Sequence, residues 1–372
     1  MKNILIAPDS FKGTLSAKEV CEIIERAVHD YIPSANTVSA PLADGGEGIC
    51  NCIYDAVGGR FITRRVTGVH GEKIDASYLM TDENTAVIES AVCCGLPLAG
   101  ENNNPAAALT VGVGELIKDA VKEGAQKIII GLGGTATNDC GIGMASALGY
   151  SFYDAEGKEI ECCGAGLINL ERIVEPNEKP GVAVICACDV TNTLCGESGA
   201  ARVFAPQKGA DEETVDFLER CDRNFARVVK KEFDIDLLDF AGGGAAGGMG
   251  AGAAVFCDAT LKKGIEIVFD ICRFEEKVRN ADIIITGEGR LDSQSIHGKV
   301  ISGVLNTAGK YGKKVVTICG CEGEGARELL NEGISEMYFC RTSPAPMEEI
   351  KRTCERDLYN AASEFAKKYT NN

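Results

Sequence analysis

Short apolar runs alternate along the chain with stretches whose apolar residues recur every three or four positions. "NILIAPDS" (3–10) reads as a buried strand. Ser16 and Glu19 then form a capping box, and Ala17, Val20, Cys21, Ile24, Ala27, Val28 and Tyr31 fall on one face of the helix that follows. "TVSAPLAD" is the next strand; it runs into "DGGEG" and a helix near 46–57. Segments 60–67, 74–80 and 85–91 read as shorter strands, partly antiparallel. A helix from about 110 ends at Gly124, and "KIIIGLG" is the strand after it.

The middle is less regular. "GYSFYDAEGKEI" reads as a hairpin and "VAVICACD" (182–189) as a buried strand. Residues 211–233 form an amphipathic helix behind Asp211, with Val215, Leu218, Cys221, Phe225, Val228 and Val229 on its inner face. "FAGGGAAGGMGAGAAVFC" (240–257) reads as a loop running into a tightly packed helix. Strict alternation then returns: strand "ADIIITGEG", helix 298–309, strands "KKVVTICG" and "SEMYFCR", and a last helix from about 347.

Repeated strand–turn–helix units predict an α/β fold with a mainly parallel sheet and helices on both faces, whose ligands bind beyond the carboxyl ends of the strands. The 372 residues exceed what one core ordinarily serves, so two domains are expected. The regular ends and irregular middle place a discontinuous Rossmann-like domain at 1–65 and 281–372, with a second α/β domain, 66–280, inserted in it.

Charge narrows the partners. Lys and Arg total 38 against 55 Asp and Glu, a net charge of −17 with no basic block. Nucleic acid and anionic membrane surfaces are therefore not expected, although backbone amides and a few lysines can still hold phosphate. The 18 cysteines have no disulfide-scaffold spacing and no C-x-x-C pair, and there are only three histidines, His29, His70 and His297. Buried reduced thiols are expected rather than zinc, in a reducing compartment. The apolar run before Asp9 is shorter than the roughly 7–15 residues of a signal peptide. Segment 240–257 falls short of the ~20 apolar residues of a membrane span. A cytoplasmic protein is expected; a homo-oligomer is left open.

The strand-end loops carry the candidate chemistry. "PDSFKGT" offers Asp9, Ser10 and Lys12; "ADGGEG" offers Asp44 and Glu47 around Gly45 and Gly46. "CDVTN" ends a buried strand with Asp189, "FAPQKGA" adds Lys208, and "TGEGRLDSQSIHGK" adds Glu288, Arg290, Asp292 and His297. "GLGGTATNDCG" (131–141) partly fits a dinucleotide turn through Gly131, Gly133 and Ala136, but Asp139 stands where a pyrophosphate would sit. A helix cap or a polar active-site loop is the better reading. No P-loop and no G-x-S-x-G elbow occurs. Carboxylates, Lys, Arg and glycine backbone together suit phosphoryl transfer, and they also suit a hydroxy acid whose carboxylate wants Arg or Lys.

The blocks "IAPDSFKGTLSA", "PLADGGEG", "GLGGTATND", "CDVTNTLCGESGAARVFAPQKGA", "GGGAAGGMGAG" and "ITGEGRLDSQSIHGK", in this order, resemble the bacterial glycerate kinase family, type I, from about residue 4 to 320. The resemblance implies ATP-dependent, Mg²⁺-assisted phosphorylation of D-glycerate by a two-domain α/β/α protein with its site in the cleft. Thr135, Thr193, Ala205, Ser295 and Ile301 depart mildly from the usual pattern. The rival readings are an NAD-type oxidoreductase and a non-catalytic sugar-acid sensor.

The expected assignments follow. Asp189, Asp9, Lys12, Asp44 and Arg290 are catalytic, with Asp189 and Asp44 also the Mg²⁺ ligands. Ser10, Asn138, Asp139, Asp292 and Lys208 bind substrate. Gly45, Gly46, Gly133, Gly134, Thr135, Gly243, Gly244, Gly287 and Gly289 bind nucleotide.

Overall fold

A strand covered by helices on both faces has no solvent side, so its residues are apolar in unbroken runs. "NILI", "IIIT" and "KVVTIC" are such runs, and the structure lays them side by side. The computed structural model describes residues 2–43, 48–101, 103–293, 295, 299–343 and 345–370, with the backbone alone for Lys299. The strands in chain order are β1 (Asn3–Ile6), β2 (Asn36–Ser39), β3 (Arg60–Thr67), β4 (Lys73–Met80), β5 (Thr85–Glu89), β6 (Lys127–Gly131), β7 (Ser151–Tyr153), β8 (Arg172–Val174), β9 (Ala183–Ala187), β10 (Thr260–Lys262), β11 (Ile283–Thr286), β12 (Arg290–Leu291), β13 (Lys314–Glu322) and β14 (Ile334–Arg341).

The chain divides into two compact units. Unit 1 is Met1–Asp44, Asn51–Val57 and Ile265–Asn372; unit 2 is Gly45–Cys50 and Gly58–Gly264. The sequence reading put the borders after 65 and 280. Pairing moves the first border, because β3 is matched to β4 along its whole length, Arg60 with Met80 through Thr67 with Lys73. Helices Gly264–Ile271 and Phe274–Asn280 fall almost wholly in unit 1, which moves the second.

In unit 1 the sheet runs β13–β11–β1–β2, with β14 on the outer side of β13 and β12 continuing beside it; every pairing is parallel. Helix Ala17–Tyr31 and helix Met347–Thr370 share a core with the sheet that includes Ile4, Ile24, Val28, Ile285, Leu358 and Phe365. The first helix starts where the capping box predicted: Ser16 Oγ accepts the Glu19 amide at 3.2 Å, and Glu19 Oε2 accepts the Ser16 amide at 2.8 Å. From β1 the chain moves one way, to β2. From β11 it moves the other way, to β13 and β14. The strand order therefore reverses between β1 and β11, and a crevice opens beyond their carboxyl ends.

Unit 2 has a mixed sheet, β10–β9–β6–β5–β4–β3, antiparallel through β3, β4 and β5 and parallel from β5 to β10. The expected hairpin at 150–160 is reduced to one bridge, Tyr153 with Glu159. The ladder partner of β7 is β8, nineteen residues further on by sequence (172 against 153), which local alternation could not reveal. Segment 240–257 is the expected loop and helix. Its glycines permit close approach: a Cβ on Gly252 would lie 2.1 Å from the Cys140 carbonyl oxygen. Among the described residues no helix is long and apolar enough to cross a membrane.

Candidate active site

Backbone pairing persists past the formal ends of β1 and β11. The Ala7 amide donates to the Ile285 carbonyl at 2.7 Å and the Asp9 amide to the Gly287 carbonyl at 2.8 Å. Asp9 and Glu288 thus leave neighbouring strands at the same level, at the point where the strand order reverses. Opposite them, pairing with β13 lapses over Gly287–Gly289 and resumes in the same register at Arg290 with Cys321. Gly287 is required here, since a Cβ would fall 1.9 Å from the Ile318 carbonyl oxygen. The Gly320 amide donates to the Glu288 carbonyl at 3.0 Å, which fixes the backbone from which the Glu288 side chain projects.

Asp9, Ser10, Lys12, Glu288, Gly289 and Arg290 line one cavity of about 650 Å³ in unit 1. Burial pushes the Glu288 carboxyl up to about 7; the charges of Asp9 and Asp292 push the same way, while Ser295 and Lys12 oppose. Its Oε1 is buried and finds no partner among the described residues. Asp9 Oδ1 accepts the Ser10 amide at 2.6 Å and the Ser10 hydroxyl at 3.3 Å. Arg290 Nε lies 3.8 Å from Asp292 Oδ2, with 62% of the arginine side chain exposed, so the fork is not locked in a tight pair. A raised carboxyl beside a second carboxyl, with a lysine and an arginine around them, is the pattern of a proton-transfer site that handles anions.

Three expected substrate contacts prove internal. Asn138 and Asp139 have no exposed surface and Lys208 is 3% exposed. Asp139 Oδ2 accepts the Thr110 hydroxyl at 2.6 Å and the Gly143 amide at 3.3 Å, and Oδ1 accepts the Gly141 amide at 2.9 Å. Its carboxyl thus takes up the helix-start amides that a pyrophosphate would need, which removes the dinucleotide reading. Asn138 Nδ2 donates to Asp222 Oδ1 at 3.0 Å, and Lys208 Nζ donates to the Thr137 carbonyl at 2.7 Å. Burial lowers Lys208 to about 8 and raises Asp222 to about 8. These groups are a polar core of unit 2. A loop of polar residues after a strand looks alike in sequence whether solvent or the glycine-rich 241–252 backbone covers it.

The other candidates divide. Asp189 Oδ1 accepts the Gly264 amide at 3.1 Å, at the first residue of helix Gly264–Ile271, an anchoring contact at a turn distant in sequence. Glu89, at the end of β5, holds the Cys50 amide at 2.9 Å and the Gly48 amide at 3.3 Å. Gly133 and Gly134 are exposed in unit 2, and Thr135 is buried and bridged to Gly95. Gly244 packs under the 190–193 loop, where a Cβ would lie 2.2 Å from the Thr193 carbonyl oxygen, and Gly243 lies against Phe240. Of the glycines expected to bind nucleotide, Gly289 alone lines the unit 1 cavity among the described residues, with Gly287 two residues before it in the chain. Asp44, Gly45, Gly46, Glu47 and His297 lie outside the described residues. Asp292, 31% exposed, lies beside Arg290 and is not part of the cavity lining. The sequence reading quoted Glu288 in its loop but gave it no role; its only signal is its place two residues beyond a buried strand, between two glycines. The β14 end of the cavity, with Cys340, Arg341, Met347 and Ile350, had no sequence signal.

Comparison with known proteins adds the following. A family model described as "Glycerate kinase family" matches residues 4–370. The chain is 43% identical to the "Glycerate 2-kinase" of Escherichia coli (strain K12), over 98% of this chain and 97% of that one. It is 42% identical to a "Glycerate kinase" of Bacillus subtilis (strain 168), covering 98% and 96%. A crystal structure from Salmonella typhimurium LT2, provisionally named glycerate kinase 2, superposes with a TM-score of 0.91 at 39% identity, covering 100% of this chain and 98% of that chain.

Proposed function

The chain belongs to the glycerate kinase family, and from that premise we propose that it transfers the γ-phosphoryl group of ATP to the 2-hydroxyl of D-glycerate. It is a phosphotransferase that phosphorylates glycerate with a nucleotide donor. The observation that carries the reading is the Asp9–Glu288 carboxyl pair sharing a cavity with Lys12 and Arg290.

Each group has a task. The Arg290 fork takes the acceptor carboxylate in two parallel hydrogen bonds. The Asp9–Glu288 pair accepts the hydroxyl proton as the glycerate oxygen bonds to phosphorus and the bond to the bridging oxygen of ADP breaks. Burial, with the Asp9 charge adding to it, keeps the Glu288 carboxyl protonated to higher pH than an ordinary carboxyl. Lys12 offsets charge on the moving phosphoryl group.

Mg²⁺ takes one or two protein carboxylates and fills its remaining positions with phosphate oxygens and water. Among the described residues no cluster of three or more acidic, cysteine or histidine groups is set up to hold an ion by itself. An ion arriving with the nucleotide would lower the charge of the phosphates. Asp189 and Asp44 are the oxygen donors assigned to it. The choice of the 2-hydroxyl follows the Escherichia coli relative's name.

The test is ADP release with D-glycerate, L-glycerate and other short hydroxy acids, followed by phosphorus NMR of the product. The expected result is turnover with D-glycerate and a phosphorus signal coupled to the C2 proton. No ADP release with any hydroxy acid refutes the reading, and coupling to the C3 protons moves the acceptor to the 3-hydroxyl.

A further inference from the structure

The unit 1 cavity is too large for its acceptor. At about 650 Å³ it lies in the range that holds drug-sized ligands, whereas a three-carbon acid fills only a small part of it. Its lining also changes along its length. Beyond β1 and β11 stand Asp9, Lys12, Glu288 and Arg290. On the far side of β13, at the end of β14 and the start of helix Met347–Thr370, the lining turns to Cys340, Ala345, Met347 and Ile350, with Phe11 in the same apolar cluster as Cys340.

The charged side chains at that far end are engaged within the protein. Arg341 Nη1 lies 2.8 Å from Glu349 Oε1 and Nη2 lies 3.0 Å from Asp357 Oδ2; Nη2 also donates to the Thr353 hydroxyl. Such a neutralised cation does not select an anion. Met347 is 48% exposed, and its Cε would lie 3.8 Å from a Cβ on Gly13, so an apolar side chain overhangs the "FKG" turn at the mouth. An uncharged, flat, largely apolar group fits this end, with its anionic part directed to Lys12.

We propose that this apolar end, formed by Phe11, Cys340, Met347 and Ile350, seats the base of the nucleoside triphosphate, which places the donor's triphosphate toward the β1–β11 crevice. The assignment rests on the kinase reading above. It puts recognition of the base in unit 1, on aliphatic and thiol side chains, where the sequence candidates for the nucleotide were glycine turns in both units, Gly287 and Gly289 among them.

The experiment uses the full chain and its Met347→Ala and Ile350→Ala variants. The probes are a fluorescent ribose-labelled ATP with Mg²⁺, unlabelled ATP, and inorganic tripolyphosphate as competitor. Both side chains are at least partly exposed, so the variants should fold, and thermal unfolding checks that. Removing two or three buried carbon atoms from a base subsite predicts about tenfold weaker labelled-nucleotide binding and about tenfold higher KM for ATP in each variant. Tripolyphosphate lacks the base, so its affinity should stay within about twofold, as should the KM for D-glycerate.

A raised glycerate KM with unchanged ATP KM overturns the proposal and gives this end to the acceptor. Equal weakening of ATP and tripolyphosphate overturns it too, because the effect then lies at the phosphates. Unchanged binding in both folded variants leaves the base without this subsite. Should glycerate turnover fail altogether, the labelled-nucleotide titration still decides: weakening in the variants upholds the subsite, and no binding to the parent chain overturns it.

Discussion

Glu288 answers two opposed demands. Proton transfer needs a carboxyl that titrates near working pH, whereas folding prefers an acid that ionises freely. Its raised value, about 7 against 4.5, means the folded state binds more protons than the unfolded one between those pH values. Stability therefore falls as pH rises through that window, by roughly 3 kcal/mol at most once Glu288 is ionised. Glu288→Gln should lose ~10²–10⁴-fold in kcat and lose the acidic limb near pH 7 from its rate profile. Denaturant unfolding should show the variant more stable than the parent at pH 8, with the gap closing toward pH 4.5. Retention of the limb would pass the base role to Asp9 alone. Lys208 poses the converse case. Its ammonium is buried on the Thr137 carbonyl among Asp139 and Asp222. Lys208→Met should destabilise by roughly 1–3 kcal/mol, because that carbonyl loses its donor, with kcat near the parent value. A normal melting temperature with a 100-fold loss of kcat/KM would restore Lys208 to the substrate.

At the scale of elements, β11 and β12 are one strand path interrupted by a site. The interruption depends on glycine where two backbones meet, and the prediction is geometric. Gly287→Ala puts a methyl 1.9 Å from the Ile318 carbonyl oxygen, an atom of β13 that cannot swing aside. It should cost about 2–3 kcal/mol or more by displacing β13 from β11, and activity should fall with stability. Gly309→Ala is the control: this glycine lies in helix Lys299–Lys310 with nothing within 4 Å of the added carbon. It should gain roughly 0.5–1 kcal/mol. Equal effects, read by thermal unfolding, would mean that close approach at Gly287 does not constrain the sheet.

Across the whole molecule the thiols form a natural map of access. All 18 cysteines are free, and only Cys162, Cys321, Cys340 and Cys354 are more than marginally exposed. Burial raises the pKa of most others, so they are poor nucleophiles as well as covered. Thiol titration should find 18 equivalents after denaturation and no more than about four rapidly reacting groups in the native protein. Cys321, Cys340 and Cys354 line the unit 1 cavity. ATP should slow their modification and leave that of Cys162, in unit 2, unchanged. A native count well above four would show that unit cores open on the timescale of the reagent.

Local order was written in the chain because its causes are local. The capping box at Ser16, the apolar runs of β1, β11 and β13, and the 3.6-residue face of helix Glu212–Phe233 each depend on neighbours within a few positions. The alternation of these elements sufficed for an α/β protein with mainly parallel pairing, and it singled out the loops at strand ends as candidates for chemistry. Tertiary structure alone decided which of those loops face a cavity. Asn138, Asp139 and Lys208 carry the same residue types as an active site, yet all three are buried, and backbone at Gly247, 109 residues on by sequence (247 against 138), packs against Asn138. Asp9 and Glu288 stand 279 residues apart in sequence (288 against 9) and meet because β1 and β11 are neighbours where the strand order reverses. Burial and the raised carboxyl arise from long-range pairing, and no pattern along the chain encodes which distant strand will be the neighbour.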